Sequence, residues 1–307
     1  MITSTLNTGW TSPSWWTWLT GSNHFTLHFA GITSSGRPVM LAFIVVSLLL
    51  ISAPMAYLSK NREIRKRWNT WLAIATISGL VMWSGRIPTM FFVIIISIVA
   101  VFEYTHMLKL PKIDRTVLIL ISVALPILTV AHAQLLNTLP LILLLTPLVP
   151  LLSGDTVRGG ERSAYLAFGI IWLDWAPSNL IIIYKLSFLI FLCVAITDIF
   201  SFLGGKIFGK LPIAKKTFTE ISPNKRIGGI FGGFLGAAGI LALTGSFSIG
   251  LWLAISIGAP LGDLVESMFK RQTGVKDTGS WLPGFGGILD RIDSLLLVLP
   301  LAVIFLS

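Results

Sequence analysis

Apolar residues in this 307-residue chain neither alternate nor keep to one helical face. They form long runs separated by short polar stretches, at 39–58, 68–84, 87–102, 116–131, 138–152, 164–184, 186–203, 227–243, 247–261 and 295–306. About 20 apolar residues cross the ~30 Å hydrocarbon layer as a helix, so each run predicts a membrane span. Lipid offers no partner to an unpaired N–H or C=O, which excludes open strands there. The expected fold class is all-α, a polytopic integral membrane bundle of about ten transmembrane helices. Three regions are expected: a Trp-rich non-cytoplasmic segment at 1–38, N-terminal spans at 39–185, and a C-terminal catalytic region with polar loops at 186–307.

Charge sharpens this picture. Apolar residues make up 54% of the chain and charged ones 12%, about half the ~25% usual in soluble domains. A formal charge of +10 would suit a nucleic-acid partner, but its placement argues otherwise. Twenty of the 23 Lys and Arg fall in 60–67, 103–115, 153–163, 204–226 and 262–294, alternating with apolar runs as positive-inside topology requires. Ten spans put all five segments on the cytoplasmic side of the inner membrane, with both termini opposite. No nucleic-acid partner is expected, and segment 60–67 reads as a contact with anionic membrane lipids. The first 38 residues lack the basic start and apolar core of a signal peptide; Trp10, Trp15, Trp16 and Trp18 suit a membrane surface or a partner. Gly228, Gly232 and Gly236 recur every four residues, clearing a helix face for close packing, compatible with a homodimer. One cysteine, Cys193, excludes a disulfide framework.

Ionisable residues are scarce, so their clusters stand out. Five of the 13 acids lie between Asp263 and Asp293. Asp263 and Glu266 are three apart, as are Asp290 and Asp293, so each pair shares a helix face. Oxygen-rich sites favour hard cations such as Mg²⁺, shared with substrate phosphates. Lys270, Arg271, Lys276 and Arg291, with Lys225 and Arg226 upstream, would neutralise a triphosphate and a phospholipid headgroup. Gly284, Gly286 and Gly287 in Pro283–Gly287 would let backbone N–H groups form an anion-binding concavity. The combination implies metal-assisted chemistry on a phosphorylated substrate at the cytoplasmic membrane surface. The four histidines show no metal-ligand spacing. Asp174 lies inside an apolar run near Pro177, a functional candidate by its placement in a span expected to break there.

These residues resemble the phosphatidate cytidylyltransferases, or CDP-diacylglycerol synthases. The family pattern is matched by Ser267-x-x-Lys270-Arg271, Lys276-Asp277-x-Gly279, Leu282-Pro283-Gly284-Phe285-Gly286-Gly287 and Asp290-Arg291-x-Asp293, 27 residues with one departure. Gly262-Asp263-x-x-Glu266, Thr197-Asp198, Gly209-Lys210 and Ile221-Ser222-Pro223 are similar to further family segments. The resemblance covers roughly residues 190–300; the N-terminal half is like the family only in being many-spanned. It implies transfer of the cytidylyl group of CTP to phosphatidic acid, giving CDP-diacylglycerol and pyrophosphate. In that scheme Asp263 and Asp290 hold Mg²⁺, and Asp293 and Asp198 complete or orient its shell. Lys270, Asp290 and Asp293 are the catalytic set. Lys270, Arg271, Lys276 and Arg291 meet the nucleotide phosphates, and Ser222 and Lys225 a phosphate near the membrane. Whether a monovalent cation assists stays open.

The chain departs from the pattern at three places. Phe285 stands for the family's histidine, Arg226 for a threonine and Gly228 for a glutamate. Phenylalanine exchanges no proton and donates no hydrogen bond, which points to a divergent paralogue. The alternative is a catalytically impaired relative serving as a membrane scaffold or subunit. A CDP-alcohol phosphotransferase would need paired aspartates with Asp-Gly and Ala-Arg steps, which are missing. A transporter would spread polar residues through midplane helices.

Overall fold

The structure, a computed structural model, describes residues 27–29, 32–34, 45–47, 49–54, 57–58, 62–132, 134, 139–208, 216–223, 225–279, 281 and 286–306. The tryptophan cluster at 10–18 and Gly284 lie outside them. A short antiparallel pair, β1 (Leu27–Phe29) with β2 (Ile32–Ser34), precedes the helices. The rest is helical: α1 (Arg62–Trp83), α2 (Arg86–Met107), α3 (Lys112–Ala131), α4 (Leu139–Leu144), α5 (Leu148–Leu152), α6 (Gly159–Ile182), α7 (Tyr184–Ile207), α8 (Ile227–Leu243), α9 (Ile249–Thr273) and α10 (Leu289–Leu306).

Five of these helices, α2, α3, α6, α7 and α9, are long and apolar enough to cross a membrane; α8 and the Leu139–Leu152 stretch are shorter. Helix α2 shows why lipid rather than water must surround them. Its outward residues Ile87, Phe91, Ile95 and Phe102 are exposed, whereas Thr89, Ser97 and Thr105 are buried. A soluble amphipathic helix would reverse that arrangement. Inward threonine hydroxyls are satisfied along their own helices, as when Thr105 donates to the Val101 carbonyl (2.8 Å) and Thr129 to that of Leu125 (2.7 Å).

The run expected as a single span at 138–152 divides into α4 and α5 around residues 145–147. Pro147 donates no N–H and disfavours helical geometry at Thr146, which accounts for the interruption. Helix α6 differs in the opposite sense. It does not break at Pro177 but widens into a π-helical segment, Ile170–Trp175, and continues. The wider turn accommodates a proline without N–H.

Two compact units divide the chain: Met1–Trp83, Phe188–Ser256 and Ile304–Ser307 form the first, and Ser84–Ser187 with Ile257–Val303 the second. In the first, the glycine face of α8 packs on α7. A Cβ on Gly232 would meet the Gly204 Cα at 2.8 Å and one on Gly236 the Phe200 Cβ at 2.6 Å. This is the close packing expected from the four-residue glycine repeat, and it occupies that face within the chain.

The second unit is built on a buried cluster from α2, α3, α6, α9 and α10 that includes Tyr104, Leu118, Leu166, Trp172, Phe269 and Leu296. Trp172 and Phe269 stack with ring centroids 5.8 Å apart, and the Tyr104 hydroxyl donates to the Tyr165 carbonyl at 3.0 Å. At its edge a cation is fully engaged. Arg162 forks onto Asp114 (2.5 and 2.9 Å) and reaches Asp155 (2.8 Å) and Ser153 (3.1 Å). The Arg158 backbone N–H and then the Arg162 guanidinium hold the Asp155 carboxyl below its ordinary pKa. Asp174 is completely buried on α6 and accepts from Ser122 at 2.5 Å.

Candidate active site

The site begins with two glycines in the second unit. A Cβ on Gly258 would touch the Val298 backbone at 3.0 Å, and one on Gly262 would collide with the Asp293 carbonyl. Their absence lets α9 and α10 approach backbone to backbone. On α9, Asp263, Glu266, Ser267 and Lys270 follow at helical spacing and share a face; on α10, Asp290 and Asp293 occupy the first turns.

One carboxylate oxygen each from Asp263, Glu266 and Asp293 lie within 4.8 Å of one another. Ser267 donates to Asp263 (3.2 Å), and the Ser294 N–H to Asp293 (2.7 Å). Lys270 bridges Glu266 (2.6 Å) and Asp290 (2.8 Å). The second Glu266 oxygen, Oε1, is buried without a hydrogen-bond partner. Buried carboxylate oxygens normally have partners; Asp174 Oδ2 is another without one, but only the Glu266 oxygen has further carboxylates clustered beside it with which it could hold a cation. Three clustered carboxylates with a spare buried oxygen match the hard oxygen ligands that Mg²⁺ takes.

The grouping differs in two respects from the expected ligand set: Asp198, which belongs to the first unit, is not among its members, and Glu266 takes the place of Asp290. Glu266 joins Asp263 and Asp293, whereas Asp290 is committed to neighbours. Its Oδ1 accepts from Lys270, and its Oδ2 from the Thr278 N–H and hydroxyl (both 3.0 Å) and the Gly287 N–H (2.7 Å). The Gly287 amide, expected to face substrate phosphate, here holds a carboxylate of the chain itself. Gly286 adopts φ 84°, a region that favours glycine, and a Cβ there would lie 2.8 Å from the Asp290 carboxylate.

Glu103 on α2 is a site residue that the sequence reading left out. Though 175 residues from Thr278, it accepts from that hydroxyl (3.3 Å) and from the N–H groups of Ile288 (3.0 Å) and Leu289 (2.8 Å). Any Cβ on Gly279 or Gly287 would strike its carboxylate. The loop after α9 therefore wraps Glu103, and this contact sets the start of α10, where Asp290 sits. A signal was present: Glu103 directly follows the apolar run 87–102, and an acid at or within a membrane span is a functional candidate.

Arg271, Lys276 and Arg291 are exposed. Asp198, Ser222 and Lys225 belong to the first unit. There Asp198 is exposed on α7, and the Lys225 N–H donates to the Ser222 carbonyl at 2.9 Å, closing a turn between Thr217 and Arg226.

Apolar spans and an oxygen-rich, lysine-bridged cluster define an integral membrane protein with a site suited to phosphates and a divalent cation. The comparisons narrow that class. Residues 65–307 match the model of the cytidylyltransferase family, and the chain belongs to that family. It is 41% identical over 152 residues to the phosphatidate cytidylyltransferase of Staphylococcus saprophyticus, covering 47% of this chain and 56% of that protein. The phosphatidate cytidylyltransferases of Staphylococcus haemolyticus and Staphylococcus aureus are 46% and 47% identical over 125 residues, 38% of this chain and 46% of each relative. The chain thus spans about half the length of the curated relatives it matches.

Proposed function

We propose that this protein transfers the cytidylyl group of CTP to phosphatidic acid, forming CDP-diacylglycerol and pyrophosphate at the cytoplasmic face of the inner membrane. The observation that carries the reading is the Asp263–Glu266–Asp293 cluster beside the Lys270 bridge. Asp263, Glu266 and Asp293 would hold Mg²⁺. A divalent ion there supplies neutralisation of the triphosphate and of the charge that builds on its leaving oxygen.

The remaining steps fall to the chain's own groups. A lipid phosphate oxygen attacks the α-phosphorus, a new P–O bond forms, and the bond to the β-phosphate oxygen breaks to release pyrophosphate. The attacking oxygen is already anionic near neutral pH, so no side chain must accept a proton. Phe285 in place of a histidine is compatible with that step. Lys270, positioned by Glu266 and Asp290, offsets negative charge at the phosphates, and the exposed Lys276, Arg271 and Arg291 draw the nucleotide inward. Glu103 and Thr278 keep Asp290 in place.

The test is incorporation of radiolabelled CTP into chloroform-soluble lipid by purified protein with phosphatidic acid and Mg²⁺. The parent chain is expected to form CDP-diacylglycerol, and Asp263→Asn and Asp293→Asn to lose roughly 100-fold or more in rate. A folded parent that makes no liponucleotide would overturn the proposal and favour the scaffold alternative suggested by Phe285 and Gly228.

A further inference from the structure

The second unit contains a cavity of about 480 Å³ between the end of α2, the start of α3 and the loop after α9. Small-molecule sites run from about 300 to 1,000 Å³. None of the carboxylates clustered for a cation lines it, yet it adjoins Asp290, which Lys270 bridges to Glu266. Thr278 forms part of its wall and donates twice to Asp290. A ligand touching Thr278 would thus be linked through Asp290 to Lys270, a group assigned to the phosphates.

Its wall chemistry selects among the parts of the two substrates. Glu103 and Asp277 contribute carboxylates, and Arg115 a guanidinium that lies 5.3 Å over the Phe102 ring. Two carboxylates in the wall, set against Arg115 and the His106 imidazole, leave no excess of positive charge to hold a phosphate, whether of the nucleotide or of the lipid. Charged walls equally disfavour an acyl chain. What suits them is a flat, uncharged, hydrogen-bonding ring. Trp281 supplies an exposed indole at the rim, and aromatic faces are general stacking platforms for bases.

We infer that this cavity, walled by Phe102, Glu103, Arg115, Asp277, Thr278 and Trp281, receives the pyrimidine base of the nucleotide. The inference rests on the cytidylyltransferase reading and deepens it. Cytosine carries a donor amine beside a ring nitrogen and a carbonyl that accept, so a carboxylate next to a guanidinium complements it. The Arg115 Nε is spent on the Thr105 hydroxyl at 2.9 Å, which fixes the guanidinium and leaves its terminal N–H groups for the ring acceptors. Uracil has an acceptor where cytosine has the amine, and would meet Asp277 oxygen to oxygen. The pocket therefore discriminates CTP from UTP.

Two exposed residues make the test safe for folding. Trp281→Ala is expected to raise the KM for CTP ~10-fold, with the KM for phosphatidic acid within about twofold of the parent's. Asp277→Asn is expected to narrow the preference for CTP over UTP by a similar ~10-fold. An unchanged KM for CTP, or a rise in the KM for phosphatidic acid instead, would overturn the assignment. Equilibrium dialysis of radiolabelled CMP separates this inference from the reading beneath it. A parent that binds CMP and loses it on Trp281→Ala upholds the pocket even if no CDP-diacylglycerol forms. Equal CMP binding by parent and variant sinks the pocket even if turnover is intact.

Discussion

Two buried clusters in the second unit each centre on one cation, and they are completed differently. Arg162 gives Asp114 a two-pronged contact, adds Asp155 and Ser153, and is 3% exposed. Lys270 meets Glu266 and Asp290, but beside it a buried Glu266 oxygen has no partner and two more carboxylates stand within 4.8 Å. A completed network holds helices together; one with a spare buried oxygen keeps a place for something that arrives later. The difference separates acids whose oxygens are all engaged by the fold from clustered acids left with an oxygen to spare, something charge counting alone does not reveal.

Replacing the cation of the completed network breaks this contrast most severely. Arg162→Met leaves Asp114 buried without its partner and is expected to cost about 3–5 kcal/mol of stability, read as a lowered thermal midpoint in detergent. Its rate per folded molecule should stay close to the parent's. A variant as stable as the parent would mean that Arg162 is not a structural tie. Glu103→Gln probes the boundary between the two kinds of cluster. It keeps the shape and weakens the acceptor for two backbone N–H groups and Thr278, about 1–3 kcal/mol of loop positioning. The expected result is a ~10-fold fall in kcat, and a parent-like kcat would remove Glu103 from the site.

Much of this was legible in the sequence, and the omissions have physical causes. Three-residue spacing announced that Asp263 and Glu266, and Asp290 and Asp293, would each share a face, because helical periodicity is local. It did not say that Asp263 and Glu266 would both join Asp293 while Asp290 turned to Lys270, Thr278 and Gly287. That depends on how closely α9 and α10 cross at Gly258 and Gly262. Glu103 was missed because its partners lie 175 to 186 residues away, beyond any periodicity. The glycines of 284–287 suggested a phosphate site, whereas the described amide of Gly287 is spent on the Asp290 carboxylate. The division at 145–147 and the π segment of α6 turn on how Pro147 and Pro177 are accommodated, which hydrophobicity does not encode.

The central claim is that Asp263, Glu266 and Asp293 form a divalent-cation site, and a Mn²⁺ titration followed by electron paramagnetic resonance tests it most directly. Purified parent protein should bind one Mn²⁺ that Mg²⁺ displaces, and Glu266→Gln should lose that binding while keeping the parent's thermal midpoint. If Glu266→Gln and Asp293→Asn both bound Mn²⁺ as the parent does, the claim would be wrong.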